Sequence, residues 1–316
     1  MRNLLTIEEL NLGIKNFDRS VLARAISIVE SKNPDHKKLA QSLIATIMPL
    51  TGKSKRIGIS GTPGVGKSTF LENFGMYLIA KGFKIAVLAI DPTSQRTGGS
   101  ILGDKTRMSE LSSHTNAFVR PSPNGPTLGG IAAKTREAML LCEAFGYEYI
   151  FVETVGVGQS EISVSHLVDF FVLLMQPGSG DELQGIKRGI LEVSNLVLVN
   201  KSDGDFEKVS KIAQHDYQSS INVLQSNSTW ETKVLRCSSL NRIGFDEIFE
   251  NFNKYFSIYN YKERDEQLVF WLKELLKEKF EDRLKKIDLS KQLEDVISGK
   301  KNILNLVDEI FTEAQK

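Results

Sequence analysis

Through its middle, the chain alternates short, unbroken apolar runs with longer stretches whose apolar residues recur at helical spacing. Residues 56–60, 85–90, 149–152, 170–175, 196–199 and 234–237 each have the length of a buried strand and are too short for an ordinary helix. This alternation predicts an α/β fold, a mostly parallel sheet flanked by helices. Ahead of it, Thr6-Ile7-Glu8-Glu9 has the form of a capping box. Leu22, Ile26 and Val29, then Leu39, Leu43 and Ile47, continue at helical spacing until Pro49 breaks the pattern. After Tyr261 the pattern becomes that of long, charged helices. Leu268, Trp271, Leu272, Leu275, Leu276, Phe280 and Leu284 fall on one stripe, and Ile303, Leu306, Val307 and Ile310 on a second. The expected organisation is a helical N-terminal extension over 1–50, an α/β domain over 51–260 and a C-terminal helical arm over 261–316. Periodicity alone leaves open whether the arm folds back on the domain or meets a second copy.

Composition narrows the functional classes. In 316 residues, 40 basic and 39 acidic side chains leave a net charge of +1, so neither nucleic acid nor an anionic membrane is expected as a partner. Cys142 and Cys237 stand apart from each other and from His36, His114, His166 and His215, which gives no metal-ligand spacing. The apolar runs have strand length rather than membrane length. The opening Met1-Arg2-Asn3-Leu4-Leu5-Thr6 lacks the apolar core of a signal peptide, so a cytoplasmic, reduced location is expected.

The chemistry starts at Gly61-Thr62-Pro63-Gly64-Val65-Gly66-Lys67-Ser68-Thr69, which meets G-x-x-x-x-G-K-[ST] in full, between a strand pattern and a helix pattern. The glycines let backbone N–H groups turn inward around phosphates, and the helix N-terminus adds its positive end. Lys67 would neutralise the β- and γ-phosphates, and Ser68 would offer its hydroxyl to Mg²⁺.

Asn200-Lys201-Ser202-Asp203 follows the 196–199 run and has the form N-K-x-D. One carboxylate, Asp203, can accept both the N1–H and the N2 amine of guanine, whereas adenine presents an acceptor there. That selects GTP over ATP. Cys237-Ser238-Ser239, after the last strand pattern, is expected to offer backbone N–H groups to the guanine oxygen. Glu153-Thr154-Val155-Gly156-Val157-Gly158-Gln159 closes another strand where a γ-phosphate-sensing loop would sit. Asp91-Pro92-Thr93-Ser94 supplies a second strand-end acid, and Asp104 is a further loop acid.

These motifs, with Gly180-Asp181-Glu182-Leu183-Gln184-Gly185-Ile186-Lys187-Arg188-Gly189, resemble those of the MeaB/ArgK family of P-loop GTPases over roughly residues 20–316. The resemblance implies a homodimeric GTPase chaperone of adenosylcobalamin-dependent acyl-CoA mutases, chiefly methylmalonyl-CoA mutase, with GTP or GDP as bound nucleotide. It further implies an Mg²⁺ neighbourhood at Ser68, Asp91, Asp104 and Glu153, and base recognition by Asn200, Lys201 and Asp203. It makes 177–188 a loop that responds to the partner. The departures, Thr93, Ser202 and Gln176, remove no group that the chemistry needs. Lys67 and Glu153 are the expected catalytic groups, with Lys187 or Arg188 swinging toward the γ-phosphate when the partner binds. Gln159 either orients the attacking water or braces its loop. Two rival readings share parts of this pattern: a metal-delivery GTPase for urease or hydrogenase maturation, and an ATP-dependent kinase of an amino-acid-binding transport protein. The absence of a Cys/His cluster weighs against the first, and N-K-x-D against the second.

Overall fold

Seven strands form one sheet: β1 (Lys55–Gly61), β2 (Ile85–Asp91), β3 (Ala117–Pro123), β4 (Tyr149–Thr154), β5 (Phe170–Met175), β6 (Leu196–Val199) and β7 (Lys233–Arg236). The structure, a computed structural model, describes residues 5–31, 33–91, 108–123, 128–154, 164–178, 188–226 and 228–315. Every pairing is parallel, in the order β3-β2-β4-β1-β5-β6-β7. Parallel strands need crossovers, and the helices that make them cover both faces, which is why β4, β5 and β6 are buried at every position. Ile57 sits in register with both Phe151 and Phe170 at the centre of the sheet.

The N-terminal extension forms α1 (Ile7–Lys15), α2 (Arg19–Glu30) and α3 (Pro34–Ile47). The capping box is present, with Glu9 N–H donating to Thr6 Oγ1 at 3.2 Å and Thr6 N–H to Glu9 Oε2 at 2.8 Å. These helices pack beside the long helix Leu128–Ala144. Glu30 accepts from Arg120 of β3 at 2.5 Å, so an ion pair joins the extension to that strand.

The helix after β1, α4 (Lys67–Ala80), presents Phe70 and Phe74 to the sheet core. Their rings stack at 5.0 Å, and Phe74 meets Phe245 edge-on at 5.2 Å. Phe245 opens a later helix, Phe245–Ile258, whose Phe252 completes the cluster.

β3 is absent from the strands that the apolar runs predict. Its sequence, Ala-Phe-Val-Arg-Pro-Ser-Pro, carries two prolines that cannot donate to a ladder. The sheet order explains how they are tolerated: β3 lies at the edge of the sheet, with one side unpaired among the described residues.

At the start of β5 lies a buried charge cluster. Asp169 accepts from Arg264 Nε at 2.9 Å, from its guanidinium nitrogen Nη2 at 2.6 Å, from Tyr259 Oη at 3.1 Å and from the Arg56 N–H at 2.9 Å. Arg264 also donates to Gly52 O and Ser54 O. Nearby, Arg56 Nε meets Glu143 at 2.5 Å. Each charge here has an opposite partner and further hydrogen bonds, the condition under which burial of ions is tolerated.

The chain divides into two compact units, Met1–Arg264 and Asp265–Lys316. The second holds three helical segments rather than the two expected: most of Glu263–Leu284, then Leu289–Ile297 and Ile303–Gln315. The extra helix carries Leu289, Leu293 and Ile297 at i, i+4, i+8 spacing. Phe280 and Phe311 meet at 5.4 Å inside this unit, while Leu268, Leu272 and Leu276 form an exposed apolar line. No helix among the described residues is long and apolar enough to cross a membrane.

Candidate functional site

The carboxyl edges of β2, β4, β1, β5, β6 and β7, adjacent in that order, carry those residues singled out from the sequence that are described. The connections run outward in opposite directions from β1, so this edge contains the switch point where open α/β sheets bind ligands.

The P-loop leaves the end of β1 at Gly61 and enters α4 at Lys67, with Thr62, Pro63, Gly64, Val65 and Gly66 between. Gly61 has φ 148°, and a Cβ there would stand 2.3 Å from the Leu174 carbonyl oxygen, so the turn admits no side chain. Gly66, at φ 100°, is the N-cap of α4, and a Cβ on it would lie 2.6 Å from Asn200 Nδ2. No side chain caps this helix, so its first N–H groups, at Lys67, Ser68 and Thr69, point to an anion-binding end. Lys67 is buried, and its Nζ donates to Gly61 O at 2.6 Å and Thr62 O at 3.1 Å.

On one side of the loop, Glu153 sits in β4, paired in register with Ile59 of β1 and Ala89 of β2. Its Oε1 accepts from Ser68 Oγ at 3.1 Å. Two hard oxygen donors thus meet beside the phosphate-binding turn, a set suited to a small divalent cation that also uses phosphate oxygens and water. Thr154 Oγ1 donates to Ser60 Oγ at 3.0 Å and ties the two strand ends together. Asp91 is the last residue of β2, at the same edge. Asp104, Gln159 and Lys187 lie outside the described residues.

On the other side, β6 leads into Asn200, whose side chain uses both ends within the protein. Nδ2 donates to Val65 O at 2.8 Å, and Oδ1 accepts from Ser239 N–H at 2.9 Å and Ser239 Oγ at 2.8 Å. Asn200 therefore braces the P-loop to the loop after β7. Lys201 adds a second tie, from Nζ to Gly64 O at 2.8 Å, out of a left-handed backbone at φ 56°.

Ser238 and Ser239 differ from the sequence expectation. Their N–H groups, expected to face a guanine oxygen, donate to Ile243 O at 3.2 Å and to Asn200 Oδ1. The cause is a tight hairpin closed by the reciprocal Ser238–Ile243 bridge. Asp203 keeps its carboxylate at the protein surface, where Oδ2 accepts from Asn241 Nδ2 at 2.5 Å. Sequence reasoning misses Asn241, since a loop asparagine in a polar run carries no distinguishing signal.

A family model described as "Methylmalonyl Co-A mutase-associated GTPase MeaB" matches residues 22–288. The chain belongs to this family. The MeaB-family chain is 46% identical over 287 residues to a "Putative GTPase" of Caulobacter vibrioides, covering 89% of this chain and 88% of the relative. It is 50% identical over 250 residues to "GTPase ArgK" of Escherichia coli, covering 79% and 76%. A mouse protein named "Methylmalonic aciduria type A homolog, mitochondrial" is 45% identical over 260 residues, 79% of this chain and 63% of that one. Among solved structures, one described as "Crystal structure of LAO/AO transport system kinase" superposes with a TM-score of 0.77 at 35% identity, covering 100% of both chains. This MeaB-family protein is accordingly a P-loop GTPase.

Proposed function

We propose that this GTPase acts as a chaperone of an adenosylcobalamin-dependent methylmalonyl-CoA mutase, coupling GTP hydrolysis to loading or protection of the mutase cofactor. The reading is supported by the family description and by the name of the mouse relative. The geometric observation that carries it is the Asn200 brace. One side chain fastens the phosphate-binding loop to the loop that would hold the base, which supports a nucleotide site built as one unit.

In this reading Asp203 accepts the two adjacent donors of guanine and Lys67 moves from the loop carbonyls to the β- and γ-phosphate oxygens. Ser68 and Glu153, with Asp91 and Asp104, would hold Mg²⁺, which would supply neutralisation of charge developing on the phosphates. Without an arginine supplied to the site, intrinsic turnover is slow. Lys187 or Arg188 provides the missing positive charge when the mutase binds. The exposed line Leu268, Leu272 and Leu276 serves as a homodimer contact.

A second reading, an ATP-dependent kinase, is favoured by the likeness to the solved LAO/AO transport system kinase. One assay separates them: steady-state GTP turnover with and without stoichiometric methylmalonyl-CoA mutase, with ATP in parallel. Slow, GTP-only hydrolysis that accelerates with mutase is the expected result. A GTP rate indifferent to the mutase removes the partner, and transfer from ATP to a protein substrate favours the kinase.

A further inference from the structure

We infer that Asn241 is a positioning residue for base selection, holding the Asp203 carboxylate in the orientation that accepts both guanine donors. The inference rests on Asp203 as the guanine acceptor and adds the group that sets its geometry.

Asp203 lies in a loop, between Ser202 and Gly204, where a carboxylate is free to rotate unless something holds it. Asn241 Nδ2 donates to its Oδ2 at 2.5 Å, a charge-assisted bond that restricts the rotation of the carboxylate. A carboxylate has about four lone-pair sites, so one bond to Oδ2 leaves Oδ1 and the second site of Oδ2 for a ligand. Guanine needs two acceptors side by side, and a carboxylate that rotates offers them only part of the time.

Asn241 is itself set in place. Its N–H donates to Ser238 Oγ at 3.1 Å, and Ser238 is buried at the root of the hairpin. Ser238 and Ile243 exchange backbone bonds at 3.2 and 3.1 Å. Arg242, at φ 57°, donates through Nε to Asn73 Oδ1 at 3.0 Å and so pins the hairpin to α4, the P-loop helix. Next to it, Ser239 is tied to Asn200 and through it to Val65. The Asn241 amide thus projects from backbone fastened to the phosphate-binding element at two points. The hairpin ties Asp203 to the same element that forms the phosphate-binding loop, so the base-reading carboxylate and the phosphate site are linked through it.

The test compares GDP and IDP, which lacks the guanine 2-amino group and so offers one donor instead of two. Affinities of wild type, Asn241→Ala and Asn241→Asp are measured by calorimetry, alongside melting temperature. Asn241→Ala is expected to weaken GDP by about three- to tenfold, the worth of one net hydrogen bond, and IDP by less, so the GDP/IDP ratio contracts. Asn241→Asp, which sets two carboxylates face to face, is expected to weaken GDP further. Equal losses for GDP and IDP, unchanged GDP affinity, or tighter GDP binding would each overturn the inference; the last would mean that the amide competes with the base. Asp203→Asn with xanthosine diphosphate is the control. If that variant keeps GDP and gains no xanthosine diphosphate, the Asp203 reading itself fails. If it switches base while Asn241→Ala changes nothing, only the positioning role fails.

Discussion

Replacing Asn200 with alanine separates bracing from base reading. Asn200 is 2% exposed and satisfies the Val65 carbonyl, the Ser239 N–H and the Ser239 hydroxyl, at 2.8, 2.9 and 2.8 Å. Val65 and Ser239 are themselves buried, so these groups lose partners without gaining water. At about 1 kcal/mol net for each bond, the variant loses about 3 kcal/mol of stability with no nucleotide present. With a urea slope of about 3 kcal/mol/M, the midpoint falls by about 1 M. Unfolding of the first unit is followed, in a Trp271→Phe background, by fluorescence of Trp230, whose half-buried ring packs on Phe170 and Tyr255 against the core. Asp203→Asn, at a surface carboxylate, is the comparator and should lose GDP binding with little change in midpoint. If Asn200→Ala keeps the wild-type midpoint and loses only GDP affinity, Asn200 reads the base and does not brace the loops.

Glu153→Gln preserves shape but removes the anionic donor beside Ser68. Mg²⁺-dependent GTP hydrolysis is expected to fall by about 100-fold or more while GDP binding in EDTA is retained, measured by phosphate release and calorimetry. Arg264→Ala leaves Asp169 charged and buried and should cost about 3–5 kcal/mol in urea unfolding, whereas Arg264→Ala combined with Asp169→Ala should cost less than the sum. Burial pushes the Cys237 thiol up from 9.0 to about 12. The folded state therefore favours the protonated thiol, a contribution fully present below pH about 9 and lost as pH rises toward about 12. The stability gap between wild type and Cys237→Ala should shrink across that window, and both cysteines should resist alkylation at pH 8 until denaturant is added. Leu272→Glu with Leu276→Glu should convert the proposed dimer to monomer in light scattering without affecting intrinsic GTP turnover.

Where interactions are local, the chain carries its own description. Strands 170–175 and 196–199 appear with the bounds read from their apolar runs, because a strand covered on both faces needs apolar residues at every position. The P-loop and the capping box at Thr6, and the N-K-x-D form of 200–203, are likewise legible, since each depends on residue types at fixed short spacing. β3 is illegible because its prolines argue against a strand, and only an edge position makes them acceptable. The helix Leu289–Ile297 is hidden by its brevity, with its apolar stripe confined to nine residues.

The sequence by itself determined the nucleotide-binding motif, the parallel α/β class and the order of the strand-end acids. Only the tertiary structure decided what the motif residues do to one another. Asn200 meets Val65 across 135 positions of chain, Asn241 meets Asp203 across 38, and Arg264 meets Asp169 across 95. Such pairings leave no periodicity or spacing to read. They exist because the parallel sheet brings strand ends distant in sequence together, Asn200 with Val65 and Asn241 with Asp203 at its carboxyl edge and Arg264 with Asp169 at the amino end of β5. Burial obliges the first and the last of these pairs to satisfy one another, while the Asn241 bond is exposed.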